Sequence, residues 1–148
     1  MSEGAEPVPS FALTVRVYYE DTDAGGVVYY ANYLRFMERA RNEWLRALVG
    51  GPHELAANAG VLFAVRSVAL DFRMPAYLDD LLTVTAEPLS VRGASLTFQQ
   101  DCMRDKEVVC GGRVDIVCVD AGTFTPRRIP TEIAAVLAQR SALQRRVL

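Results

Sequence analysis

The chain has 148 residues, is 51% hydrophobic and 23% charged, and carries a net charge of −2. Those values fit one globular domain with a real core and exclude a disordered chain. The absence of a basic excess argues against nucleic acid as the main partner, and no apolar run approaches the ~20 residues of a membrane span.

Residues 1–11 are acidic, contain Pro7 and Pro9, and lack the basic and apolar blocks of a secretory signal. They read as a flexible lead into a single domain over 12–148. Three cysteines without a C-x-x-C pair suit a reducing cytoplasm, and Cys102, Cys110 and Cys118 read as structural.

Residues 12–19 alternate, with Leu13, Val15, Val17 and Tyr19 opposed to Thr14, Arg16 and Tyr18. That period of two predicts a half-buried strand. An acid- and glycine-rich segment follows, with Glu20, Asp21, Asp23, Gly25 and Gly26. From about Tyr30 the spacing changes to three and four, through Tyr33, Met37, Ala40, Trp44 and Leu48, which predicts a long amphipathic helix. Arg39 and Glu43 are spaced to pair on its outer side. Gly50, Gly51 and Pro52 stop it, and His53 falls in the following loop.

Most of the remainder predicts strands, over 61–73, 82–91, 95–103 and 108–120. Pro88 marks an edge or bulge, and the Gly111–Gly112 pair a bulge or a close backbone contact. Thr131 caps a short helix, with Ile133, Val136, Leu137 and Leu143 as packing positions. The order β–α–β–β–β–β–α favours an α+β fold with an antiparallel sheet. One helix over such a sheet leaves edges and apolar surface uncovered, so self-association is expected.

Elimination narrows the chemistry. The single histidine, His53, is poorly placed to serve as a catalytic base, and no phosphate-binding glycine loop follows a strand. Carboxylate chemistry remains. Asp21 and Asp23 precede the positive end of a helix, and Gly25 and Gly26 allow close approach of the backbone. A carboxylate plus N–H donors could serve acyl transfer; a solvated, helix-preceding turn would use the same residues. Residue types leave both readings open.

The stretch YYEDTDAGGVVYYANYLRFMERAR, residues 18–41, resembles the signature of the YbgC/4-hydroxybenzoyl-CoA thioesterase family of hot-dog-fold enzymes. Asp21, Asp23, Gly26, Val27, Val28, Tyr29, Tyr30 and Tyr33 match its pattern, and 76–88, 91–100 and 127–130 resemble its later segments. The resemblance implies a five-stranded antiparallel sheet wrapped around one long central helix, a short C-terminal helix, and a homodimer or tetramer. It implies hydrolysis of short-chain aliphatic or aromatic, hydroxybenzoyl-type acyl-CoA with no metal or organic cofactor.

Residue by residue, it makes Asp23 the catalytic carboxylate, as nucleophile or general base. The backbone N–H groups near Tyr29 and Tyr30 would polarise the carbonyl, and Asp21, Gly26 and Val28 would support the loop. Many YbgC-type members have histidine where this chain has Tyr30, and the hydroxybenzoyl type has tyrosine. Arg92, Arg127 and Arg128 are the candidates for the CoA phosphates, a role to which guanidinium is suited. The competing readings are a non-catalytic acyl-binding or protein-interaction module and a hot-dog hydratase or dehydratase.

Overall fold

The computed structural model describes residues 11–136 and 138. Its strands are β1 (Phe11–Arg16), β2 (Val61–Phe72), β3 (Leu81–Arg92), β4 (Ser95–Arg104) and β5 (Glu107–Asp120). They form one antiparallel sheet in the order β1-β3-β4-β5-β2, as the run of consecutive strands predicts. Helix α1 (Asn32–Val49) lies on one face, and a second helix, α2 (Pro52–Ala59), follows it directly.

The periodicity of α1 explains its placement. Tyr33, Phe36, Met37, Ala40, Trp44 and Leu45 are buried, while Arg35, Glu38, Arg39 and Arg46 face solvent. The buried stripe packs on Leu82, Val84, Leu96, Phe98, Val114 and Ile116, the inward alternate positions of β3, β4 and β5. Trp44 meets Phe98 edge-on at 5.1 Å between ring centres. Gln100 is fully buried yet satisfied: its amide donates to the Met37 and Thr85 carbonyls at 3.0 Å, and its oxygen accepts from Arg41 at 2.9 Å.

Several expectations shift. The first strand begins one residue earlier, at Phe11, and ends at Arg16 rather than residue 19. Tyr19–Asp21 wind into a short 3-10 turn, and Tyr19 is 81% exposed instead of facing the core. The Asp21 carboxylate accepts the Tyr18 N–H and turns the chain away from the sheet. Tyr30 precedes α1 and is exposed, so the stripe starts at Tyr33; Leu48 is only half-buried. Glu43 pairs with Arg46 at 3.3 Å, not with Arg39, and this exposed pair contributes little.

The glycine–proline stop is also a start. Gly50 closes α1 in the left-handed conformation (φ 95°), and Pro52 then opens α2, where its missing N–H is no loss. His53 therefore sits on a helix, exposed, and not in a loop. The element order gains a helix: β–α–α–β–β–β–β, then the helical residues 131–136. Of the packing positions expected in that last helix, Ile133 is buried and Val136 half-buried. Leu137, Leu143 and the lead over 1–10 lie outside the described residues.

Pro88 marks a bulge, because the β3–β4 register slips between Pro88 and Ser90. β1 pairs with β3 no further than Ala86, so no β1 partner meets the proline's missing N–H among the described residues. The Gly111–Gly112 pair resolves the other way. β5 pairs with β2 straight through Gly112↔Leu70 and Gly111↔Asp71, and Gly112 marks a close backbone approach.

Two ends of the sheet are now defined. The end of β3 at Leu81, of β4 at Arg104 and of β2 at Phe72 lie together with the start of α1. Arg92, Ser95, Val117, Asp120 and Val61 form the opposite end, which α1 reaches at its C-terminus. Eighteen residues at 1.5 Å per residue separate the two by about 27 Å.

Candidate active site

The acid-glycine segment is a hairpin with an acid at each level. Thr22 bridges Val28, the Asp23 N–H donates to the Val27 carbonyl at 2.9 Å, and the Gly26 N–H returns to the Asp23 carbonyl at 3.0 Å. Gly26 has φ 82°, a left-handed turn position that glycine adopts without strain. Asp23 stands at the tip, exposed, with one carboxylate oxygen accepting the Gly25 N–H at 2.8 Å. The other oxygen faces no protein donor among the described residues.

Asp21 does a different job. It is 7% exposed. Its carboxylate accepts the Tyr18 N–H at 2.9 Å and the Asn32 side-chain amide at 2.8 Å. Its carbonyl accepts the Tyr29 N–H at 2.9 Å. One residue thus ties the exit of β1, the exit of the hairpin and the first residue of α1. Asp21→Ala would strand the Asn32 amide and the Tyr18 N–H, and is expected to lower unfolding free energy by about 1–3 kcal/mol. A urea titration checks this, and a midpoint equal to wild type would contradict it.

The same bond corrects one expected donor. The Tyr29 N–H is spent on Asp21 and is not available to a ligand. The Tyr30 N–H has no backbone acceptor among the described residues, and it lies at the positive end of α1. Val28, buried at 4%, fastens the hairpin from behind by donating to the Ala76 carbonyl at 2.9 Å. Val27 bridges Tyr77 beside it.

A cleft of about 310 Å³ opens next to Tyr30, lined by Val28, Tyr30, Tyr33, Phe72, Met74 and Pro75, with Arg73 among them. Its aromatic rings contact one another at angles: Tyr30 and Phe72 at 6.1 Å edge-on, Tyr33 and Phe72 at 6.0 Å tilted. Burial pushes the Tyr33 phenol up to about 12, although the Ala76 backbone N–H opposes the shift, so the ring enters the cleft as a neutral hydroxyl. The sequence places Phe72 near the end of the strand expected over 61–73, with Met74 just beyond it. Nothing in their spacing marks them as site residues; the antiparallel return of β2 beside α1 brings them there.

The three arginines expected at CoA phosphates are not brought to this cleft within one chain. Arg92 ends β3 at the opposite end of the sheet, and the Ile129 N–H bond to the Gly93 carbonyl at 3.1 Å holds Arg128 close to it. Arg127 is engaged there by the Gly60 carbonyl at 3.2 Å and Asp120 at 3.3 Å. His53, in the first turn of α2, is at that far end as well. The cysteines stay structural in placement: all are free and fully buried, and desolvation raises each thiol.

A family model described as the thioesterase-like superfamily matches residues 17–137, which include the hairpin, α1 and the whole of β2–β5. The chain belongs to the thioesterase-like superfamily. The acyl-CoA thioesterase YbgC of Haemophilus influenzae is 46% identical over 125 residues, 84% of this chain and 92% of that protein. The acyl-CoA thioester hydrolase YbgC of Escherichia coli is 44% identical over 130 residues, 87% of this chain and 96% of that one. A probable thioesterase from Bartonella henselae superposes with a TM-score of 0.79 at 33% identity, covering 82% of this chain and all of that one. This thioesterase-superfamily member is thereby placed among the thioester hydrolases, with the hot-dog arrangement its motif implied. No helix among the described residues is long and apolar enough to cross a membrane.

Proposed function

We propose that this superfamily member hydrolyses acyl-CoA thioesters, releasing the free acid and CoA, with Asp23 as the reacting carboxylate. One observation carries the proposal: an exposed, singly hydrogen-bonded carboxylate on a hairpin tip precedes a helix, and the Tyr30 N–H just before that helix has no backbone acceptor among the described residues. The thioester carbonyl oxygen is held by that N–H and by the helix dipole, which favour the negative charge that develops there. Asp23 then acts on the carbonyl carbon in one of two ways. Direct attack gives a mixed anhydride that water opens; general-base action removes a proton from an attacking water. The thiolate leaves without a strong general acid, which fits a site that contains no histidine. Single turnover in heavy-oxygen water separates the routes, because only direct attack leaves label in Asp23.

The cleft takes the acyl group, and its rings favour a compact aromatic acyl over a linear one through tilted ring contacts. A thiol-release assay over matched aliphatic and aromatic acyl-CoAs is expected to show turnover, fastest with single-ring aromatic groups. Absence of thiol release from every member would overturn the function. Faster turnover of the aliphatic set would overturn the acyl preference alone.

A homodimer completes the reading. β2 is an edge strand, and it exposes Val65 (52%), Val68 (40%) and Phe72 (53%). Two copies paired along β2 about a two-fold axis must run antiparallel. The Val61 end of one copy then lies beside the Phe72 end of the other, which carries Arg127 of the partner subunit and Arg128 of the partner subunit toward this chain's cleft. The CoA-phosphate role of the arginines thus belongs to the second subunit. No specific observation favours the hydratase reading: among the described residues the cleft beside the Asp23 hairpin is lined by Val28, Tyr30, Tyr33, Phe72, Arg73, Met74 and Pro75.

A further inference from the structure

The segment 73–80, between β2 and β3, forms a strap without helix or strand. Met74 and Pro75 line the cleft on one side. On the other, the Ala76 carbonyl receives the Val28 N–H at 2.9 Å, and the Asp80 carbonyl receives the Val17 N–H at 2.9 Å. The strap therefore connects the cleft wall to the hairpin that bears Asp23.

One side chain grips the strap along its length. Arg104, the last residue of β4, donates through Nη1 to the Pro75 carbonyl at 3.1 Å and to the Asp80 carboxylate at 2.8 Å. Its Nη2 lies 3.6 Å from the Met74 sulfur, and its guanidinium sits 6.0 Å from the centre of the Tyr77 ring. The same Asp80 oxygen accepts the Tyr77 N–H at 2.8 Å, so strap and arginine share one acceptor. Both oxygen contacts leave from Nη1, while Nη2 and the planar face reach Met74 and Tyr77; a lysine could keep the oxygen contacts but has neither the second nitrogen nor the plane.

We infer that Arg104 is a positioning residue for the reaction, holding the strap so that the cleft wall and the Asp23 hairpin keep one relative position. Arg104 is not among the residues that line the cleft; it acts through Ala76 on Val28 and through Pro75 on the cleft. The proposal rests on the acyl-CoA hydrolysis argued above. Small misplacement of reacting groups carries a disproportionate rate penalty, about a hundredfold per ångström.

The test compares Arg104→Met and Arg104→Lys with wild type on the best acyl-CoA of the panel, alongside amide hydrogen exchange of the full chain. Arg104→Met is expected to lower kcat/KM about tenfold and to speed exchange at Val28 about tenfold, with Val114 in the centre of β5 unchanged. Arg104→Lys, which retains an ion pair with Asp80, is expected to recover part of both. Ile133→Ala, a buried truncation remote from the strap, serves as the control for destabilisation alone and is expected to keep kcat/KM. Unchanged exchange at Val28 in Arg104→Met overturns the proposal, as does an equal catalytic loss in the control. Failure of wild type on every acyl-CoA overturns the hydrolase reading instead, and exchange at Val28 still decides whether Arg104 holds the hairpin.

Discussion

Asp23→Asn is expected to lower kcat by about 10²–10⁴-fold on the best acyl-CoA, which corresponds to about 3–5 kcal/mol of transition-state stabilisation. The substitution is close to isosteric, and an asparagine oxygen can still accept the Gly25 N–H that Asp23 accepts at 2.8 Å. Asparagine is also at home in turns of this kind. Asp23 is exposed, so folding should be nearly indifferent, with a change within about 0.5 kcal/mol. Loss of rate at constant stability is the signature of a reacting group. Asp21 carries the opposite signature, loss of stability, because it is buried and accepts from two elements at once. Thiol release and urea midpoints measured on both variants separate the roles. An Asp23→Asn enzyme within a factor of ten of wild type would remove Asp23 from the chemistry.

Gly112→Ala is expected to be the most damaging single methyl addition in the sheet. A Cβ there would run into the Ala69 carbonyl oxygen and come within 2.9 Å of both the Ala69 carbonyl carbon and the Leu70 Cα. All of these are backbone atoms of β2, so no rotamer relieves the clash; the strands must part. β5 is flanked by β4 and β2, and Gly112 is paired to Gln100 on one side and Leu70 on the other. A loss of about 3 kcal/mol or more is expected, a large share of the 5–15 kcal/mol typical of a domain. Gly111→Ala makes a useful contrast. Its Cβ meets the Asp101 side chain and Val108, which can give way, so a smaller loss is expected. Urea midpoints that rank the two variants in the opposite order would contradict this account of the glycine pair.

How much of this was legible in the sequence follows from the range of the interactions. The alternation in β1 and the three-four spacing of α1 are local, and both elements appear near where their periods place them, although β1 stops at Arg16 and α1 starts at Asn32. Pro88 and the glycine pair signalled local departures for the same reason. Helix α2 was missed because glycine and proline were read only as terminators, although proline is equally a helix opener. Asp23 was separable from Asp21 in the motif, but the physical difference between them is tertiary: Asn32 reaches Asp21 from eleven residues away.

The cleft was not legible at all, since Phe72 and Met74 meet Tyr30 and Tyr33 only after β2 returns along the sheet. The position of the arginines was not legible for the converse reason. Their chemistry suits phosphate, but the strands carry them to the far end of their own chain.

The most direct measurement of the central claim is a crystal structure of Asp23→Asn with an intact acyl-CoA bound. The account predicts the thioester carbonyl oxygen about 2.7–3.1 Å from the Tyr30 nitrogen, the side chain at position 23 against the carbonyl carbon or a water beside it, and the acyl group among Tyr30, Tyr33 and Phe72. A thioester bound elsewhere on the molecule, with the Tyr30 N–H facing solvent, would contradict it.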